Sequence, residues 1–169
     1  MNTINNLEEL YYDQLRDLYS AEIQLVAALP DMVSNATNDE LREAFATHLV
    51  ETKGHVLRLE QLFVSHGISR DGEECDAMRG LIKEAKKHIE CTTRGEVRDA
   101  VLIASANRVE HYEIAAYGAT KAFAEVLGFD HAVTMLDKTL QEEGNADHVI
   151  TKIATGGIFT IGINEAAIH

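Results

Sequence analysis

Glutamates interrupt the apolar stripes of four long helical stretches, and their chemistry is that of metal ligands. In the first stretch Leu15, Leu18, Glu22, Leu25 and Leu29 keep the helical period around a central carboxylate. The second runs Leu41, Phe45, His48, Glu51, His55, Leu59, Leu62, so that two histidines flank the acid. The third reads Ile103, Ala106, Glu110, Glu113, Tyr117, Thr120, Ala124, Leu127, and the fourth Val133, Leu136, Leu140, Glu143, Asp147, Ile150. Amphipathic helices bury such stripes against one another. Carboxylates gathered in one core repel each other and lose their hydration, which protons, arginines or cations must offset. A pair of metal ions is the simplest of these solutions.

The elements that would position these residues can be read from caps and breakers. Asn5 or Asn6 starts the first helix, with Glu8 and Glu9 at its positive dipole end, and Pro30 is expected to kink or end it. Thr37 and Glu40 read as a capping box for a second helix that runs to about His66 and stops at Gly67. Residues 73 to 90 form a shorter amphipathic crossover helix through Met78, Leu81, Ile82, Ala85 and Ile89. Thr93 and Glu96 read as a capping box for a third long helix ending at Gly128, and Asp130 as the cap of a fourth that reaches about Ala154. Two long helices, a crossover and two more long helices make an all-α four-helix bundle with one long connection. Residues 1–155 are assigned to the bundle, and 156–169, punctuated by Gly156, Gly157 and Gly162, to a tail with no assigned structure.

The chain has 169 residues, 46% of them hydrophobic, which suits one domain with a sizeable core. A formal net charge of −13 argues against nucleic acid and anionic membranes as partners and favours the approach of cations. No apolar run approaches the roughly 20 residues of a membrane span. With only Cys75 and Cys91, both among charged residues, the chain is expected to be cytoplasmic with reduced thiols.

The ligand spacing looks duplicated. Glu22 precedes Glu51 by 29 positions and Glu113 precedes Glu143 by 30, and a further ligand follows four residues later in each case, His55 and Asp147. Residues four apart lie about one turn apart on one face. Two similar ligand sets would then meet from opposite sides of a pseudo-twofold bundle.

The stretches Tyr19–Glu22 (YSAE), His48–Lys53 (HLVETK), Val109–Ala115 (VEHYEIA) and Leu140–Glu143 (LQEE) resemble the YciF and YciE branch of the ferritin-like superfamily, bacterial stress-associated proteins. The resemblance extends to about residue 155 and implies a ferritin-like bundle, a homodimer and a rubrerythrin-like site for two iron ions. Rubrerythrins carry a glutamate on the first helix, glutamate then histidine three residues later on the second and fourth, and two glutamates three apart on the third. Glu22, Glu51, Glu110 with Glu113, and Glu143 match the carboxylates. The histidine offsets do not match, because Gly54 and Ala146 occupy them. His55 and Asp147, one position on, stand as substitutes, and His48, one turn before Glu51, competes with His55. By analogy Glu51 and Glu143 bridge, while Glu22, Glu113, His55 and Asp147 are terminal and Glu110 offers alternate ligation beside Glu113. A site so rich in carboxylate favours ferric over ferrous iron and accepts manganese.

The function so implied is reaction with oxygen or peroxide, as a ferroxidase or a peroxide-scavenging oxidase, with an external electron donor if it turns over. The rival expectations are an iron-sequestering shell and a metal-free bundle whose acids are paired by Arg16, Arg58, Arg98 and Arg108. A manganese catalase is disfavoured by the missing histidines. Tyr19 and Tyr117, one turn from Glu22 and Glu113, are in reach of the ligands, although core packing explains them as well. His111 points off the carboxylate face, residues 83–87 form a solvated face, and Glu142 is an exposed neighbour or a partner to a ligand.

Overall fold

The computed structural model describes residues 3–157 and 160–168. Helix α1 spans Leu7–Asn35, α2 Asp39–His66, α3 Asp76–Glu90, α4 Glu96–Leu127 and α5 Asp130–Thr155. A two-stranded hairpin, β1 (Gly156–Gly157) and β2 (Thr160–Ile161), and a last turn of helix, α6 (Ile163–Ala166), follow.

Helix α1 starts where the sequence indicates, with the Asn6 side chain accepting from the Glu9 amide at 2.8 Å. Pro30 does not end it. The exposed proline removes only one ladder bond near the end, and the helix continues to Asn35. Both proposed threonine caps are corrected. The amides of Thr37 and Asn38 donate to the Asp99 carboxylate at 2.7 and 2.8 Å, which fixes the linker from α4 and leaves Asn38 to cap Leu41. At the start of α4, Gly95 takes the cap position at φ 137° instead of Thr93. Asp130 is the first residue of α5 rather than its cap, which is Phe129. Helix α3 starts at Asp76 rather than near residue 73, and its entry is tied to α1 by Ser20 and Gln24, which bond the Cys75 amide and carbonyl. Gly67 and Gly128 stop their helices in the left-handed conformation, as expected.

The four long helices form a bundle in which α1 and α5 each pack against both α2 and α4. Neighbours run antiparallel: Tyr11 near the start of α1 meets His66 at the end of α2, and Lys121 and Asn107 of α4 meet Asp137 and Asp147 of α5. Helix α3 crosses against α1 and α4. One apolar cluster, with Tyr11, Leu15, Leu62 and Leu136, fills one end of the bundle, and another, with Leu41, Phe45, Leu102 and Ile150, fills the other. The polar layer lies between them.

The tail returns over α4 and α5 and places Ile163 in the second cluster. A β-carbon on Gly156 or Gly162 would lie 2.4 Å from backbone atoms, so this hairpin requires both glycines. Ile158, Phe159 and His169 of the tail lie outside the described residues.

Candidate metal centre

Six side chains from the four long helices converge in the polar layer: Glu22 of α1, His48 and His55 of α2, Glu110 and Glu113 of α4, and Glu143 of α5. All six are buried. They fall into two groups whose ligand atoms lie within 4.8 Å of one another. One comprises Glu22, His55 and Glu143; the other His48, Glu110, Glu113 and Glu143. Glu143 belongs to both.

The two histidines expected to compete therefore serve different groups. His48 and His55 are seven residues apart, hence on nearly the same face of α2. The buried stripe between them passes through Thr52, which is fully buried, while Glu51 sits at its edge with a side chain 29% exposed. Its carboxylate lies 3.5 Å from His48 Nδ1 and belongs to neither group. Asp147 is likewise outside both, accepting from Asn107 at 2.8 Å and lying 3.3 Å from the exposed His111.

The Glu22 group is braced from behind. Tyr117 donates its hydroxyl hydrogen to Glu22 Oε1 at 2.5 Å. His55 Nε2 donates to Glu142 Oε2 at 3.1 Å, and Arg58 holds both Glu142 oxygens at 2.6 and 2.9 Å. This carboxylate fixes the ring and its tautomer and leaves Nδ1 facing Glu143 at 2.9 Å and Glu22 at 3.3 Å. Tyr19 turns away to Glu60 and Arg70.

The His48 group has no such brace. His48 Nε2 lies 3.3 Å from Glu110 and 3.7 Å from Glu143, yet neither ring nitrogen makes a hydrogen bond, nor does either oxygen of Glu113. Beyond His48 and Glu51 opens a groove of about 960 Å3 whose lining includes Asp39, Glu40 and Glu43.

These residues fit a pair of cations. Glu22 Oε2, Glu110 Oε2, His55 Nδ1 and both oxygens of Glu113 and Glu143 are buried without a hydrogen-bond partner. Such atoms cost several kcal/mol each when charged and unpaired. The short His55 contacts lack hydrogen-bond alignment at Nδ1, and separations of about 3 Å are those of ligand atoms held about 2.1 Å from a shared ion. Four ionised carboxylates are matched in charge by two divalent cations. Among the described residues no lysine or arginine pairs with any of the four. Of the arginines, Arg16 bonds the Ser69 carbonyl, Arg98 bonds Asn35 and Thr92, Arg108 is exposed, and Arg58 bonds Glu142 and Thr139.

Without cations, protons neutralise the layer. Burial pushes the Glu22, Glu110 and Glu113 carboxyls up, and for Glu110 and Glu113 the neighbouring carboxylates push further. Burial also opposes ionisation of Glu143, but His55 outweighs it and holds this group below the usual carboxylate value. For His55, burial disfavours the cation, while the contacts with Glu143 and Glu22 raise it to about 10.

Cys75 and Cys91 are both free; the buried Cys75 thiol contacts Tyr112 and Asp17. None of the described helices is long and apolar enough to cross a membrane.

The fold is a helical bundle whose buried histidine and glutamate groups could hold a metal, and comparison with known proteins gives its family. Residues 6–160 match the family described as a domain of unknown function, DUF892, and the chain belongs to it. It is a homologue of YciF of Escherichia coli strain K12, 41% identical over 164 residues that cover 96% of this chain and 99% of that protein. The crystal structure of that E. coli stress protein superposes with a TM-score of 0.88 at 40% identity, covering 98% of this chain and 100% of the other. YcfI of Rhodopseudomonas palustris gives a TM-score of 0.88 at 41% identity over 90% of this chain and 98% of its own. A protein from Xanthomonas campestris, 19% identical, shares the fold at a TM-score of 0.66 over 87% of this chain and 89% of its own.

Proposed function

We propose that this YciF-like stress protein is a ferritin-like dinuclear metal protein of the cytoplasm, a homodimer, that binds two iron ions and reacts with oxygen or peroxide. The observation that carries the reading is Glu143, shared by two buried ligand groups and with neither carboxylate oxygen hydrogen-bonded. Glu22, His55 and Glu143 would hold one ion, and His48, Glu110, Glu113 and Glu143 the other, with manganese as an acceptable substitute. When bound, a ferrous pair supplies two electrons together, so that dioxygen and two protons become hydrogen peroxide and two ferric ions remain.

The protein's own residues do the rest. Arg58 and Glu142 hold the His55 ring, Tyr117 orients Glu22, and the two apolar clusters keep bulk water from the layer. Glu51 and Asp147 stand at its edge, Glu51 with its carboxylate 3.5 Å from His48 Nδ1. Repeated turnover takes an external electron donor; without one, the protein oxidises the ferrous iron it takes up.

A second reading is favoured by the raised Glu110 and Glu113 carboxyls, which let protons neutralise the layer in a metal-free, non-catalytic stress-response protein. Anaerobic protein loaded with ferrous iron and mixed with dioxygen separates the two. The oxidase reading expects ferric absorbance and about one dioxygen consumed per two irons. Iron that stays unbound, or that oxidises no faster than in buffer, contradicts it.

A further inference from the structure

Beneath the crossover helix, a cavity of about 40 Å3 reaches the His48 side of the polar layer. Apolar side chains from four helices line it: Ala28 of α1, Phe45 of α2, Ile82 and Ala85 of α3, and Ala106 and Val109 of α4. The buried His48 and Glu110 form its inner end, and the exposed Asp31 and Lys86 its rim. Ser105 adds a hydroxyl that is buried and without a hydrogen-bond partner. A water requires on the order of 10–15 Å3 of such space and two to four polar partners. Room is available here, but the polar groups are few and most of the wall is apolar.

We propose that this cavity is the access and holding site for dioxygen, resting on the oxygen reactivity proposed above. A small uncharged diatomic has no hydrogen bonds to lose among apolar walls, whereas an iron ion cannot shed its hydration there. His48 lines both this cavity and the acidic groove beyond Glu51, so the two kinds of reactant reach the same group by separate sides. Helix α3, the connection between the two halves of the bundle, acquires a role as the outer wall of the gas site. Ser105 provides a donor suited to a guest bearing oxygen.

Xenon tests the cavity independently of any metal. Crystals of the metal-free full chain are pressurised with xenon in wild-type and Ala85→Leu forms. The expected result is a xenon peak among Ala28, Ala85 and Val109 in the wild type that is lost in the variant. In solution, ferrous-loaded Ala85→Leu keeps the wild-type metal content and peroxide reactivity but reacts with dioxygen roughly tenfold more slowly. Ala28→Leu, at a half-buried position on α1, fills the same space if the α3 variant fails to fold. No xenon in the wild type overturns the proposal, as does an unchanged dioxygen rate in a variant that excludes xenon. If xenon binds but the loaded wild type consumes no dioxygen, the reactivity reading itself falls, and the delivery role falls with it.

Discussion

The two ends of the candidate metal centre are built to opposite standards of support. At the His55 end two of the three residues have a partner behind them: Tyr117 for Glu22, and Glu142 with Arg58 for His55. At the other end His48 and Glu113 have none, and the site meets both the acidic groove and the apolar cavity. A braced ligand set is positioned before the ion arrives, while an unbraced one can rearrange and admit reactants. The difference separates a pre-positioned side from a less constrained one within one buried layer.

Four experiments probe that contrast. Glu143→Ala removes the shared carboxylate and is expected to abolish metal at both ends, from about two ions per chain to near zero by elemental mass spectrometry. Retention of one ion would show that the halves are independent. Next in size, Glu142→Ala frees the His55 ring and should weaken metal binding by about 10–100-fold, measured by competition with a chelator. An unchanged affinity would remove the basis for calling this end braced.

Acidity gives a third test. In the metal-free protein, Glu22, Glu110 and Glu113 have carboxyls raised above the ordinary 4.5, so the folded state holds more protons than the unfolded one above that value. Their contribution falls as pH rises. His55, raised to about 10, adds stability that is full below its ordinary 6.5 and lost as pH climbs through 10. Glu143, held low, acts oppositely, and its contribution disappears as pH falls below 4.5. The metal-free melting temperature should therefore decline from about pH 6 to about pH 10, and the stabilisation by metal should grow, because ligands must release protons to bind. A flat metal-free profile by calorimetry would contradict this. The smallest effect belongs to Glu51→Ala: its carboxylate is partly exposed and outside both groups, so metal content should be retained with affinity reduced by less than about fivefold. A loss as large as that of Glu143→Ala would place Glu51 among the ligands.

Much of this architecture is legible in the sequence, because apolar residues at helical spacing and glycine stops are local signals. Helices α2 to α5 end within a residue or so of where the breakers put them. The threonine boxes at Thr37 and Thr93 fail because a distant group decides: Asp99, 62 residues away from Thr37, claims the linker amides. Pro30 misleads because a proline near an exposed helix end costs one bond and need not end the helix.

The centre is partly legible for a related reason. Glu22, His55, Glu110, Glu113 and Glu143 lie in their helices' buried stripes and meet in the layer. Pairing ligands four residues apart places Glu51 and Asp147 on the stripe, yet the heptad interval from His48 to His55 runs through Thr52 and leaves Glu51 about 70° from the stripe's centre. That interval was the available signal for His48. Asp147 gives way to Ala146 in the packed face of α5. Tertiary partners such as Glu142 and Arg58 appear only when α2 and α5 are set side by side.

Anomalous diffraction from crystals of the full chain, loaded anaerobically with ferrous iron, addresses the shared carboxylate most directly. The account expects two peaks flanking Glu143, one ringed by Glu22 and His55 and the other by His48, Glu110 and Glu113. A layer without iron, or a single ion that leaves Glu143 uncoordinated, would contradict it.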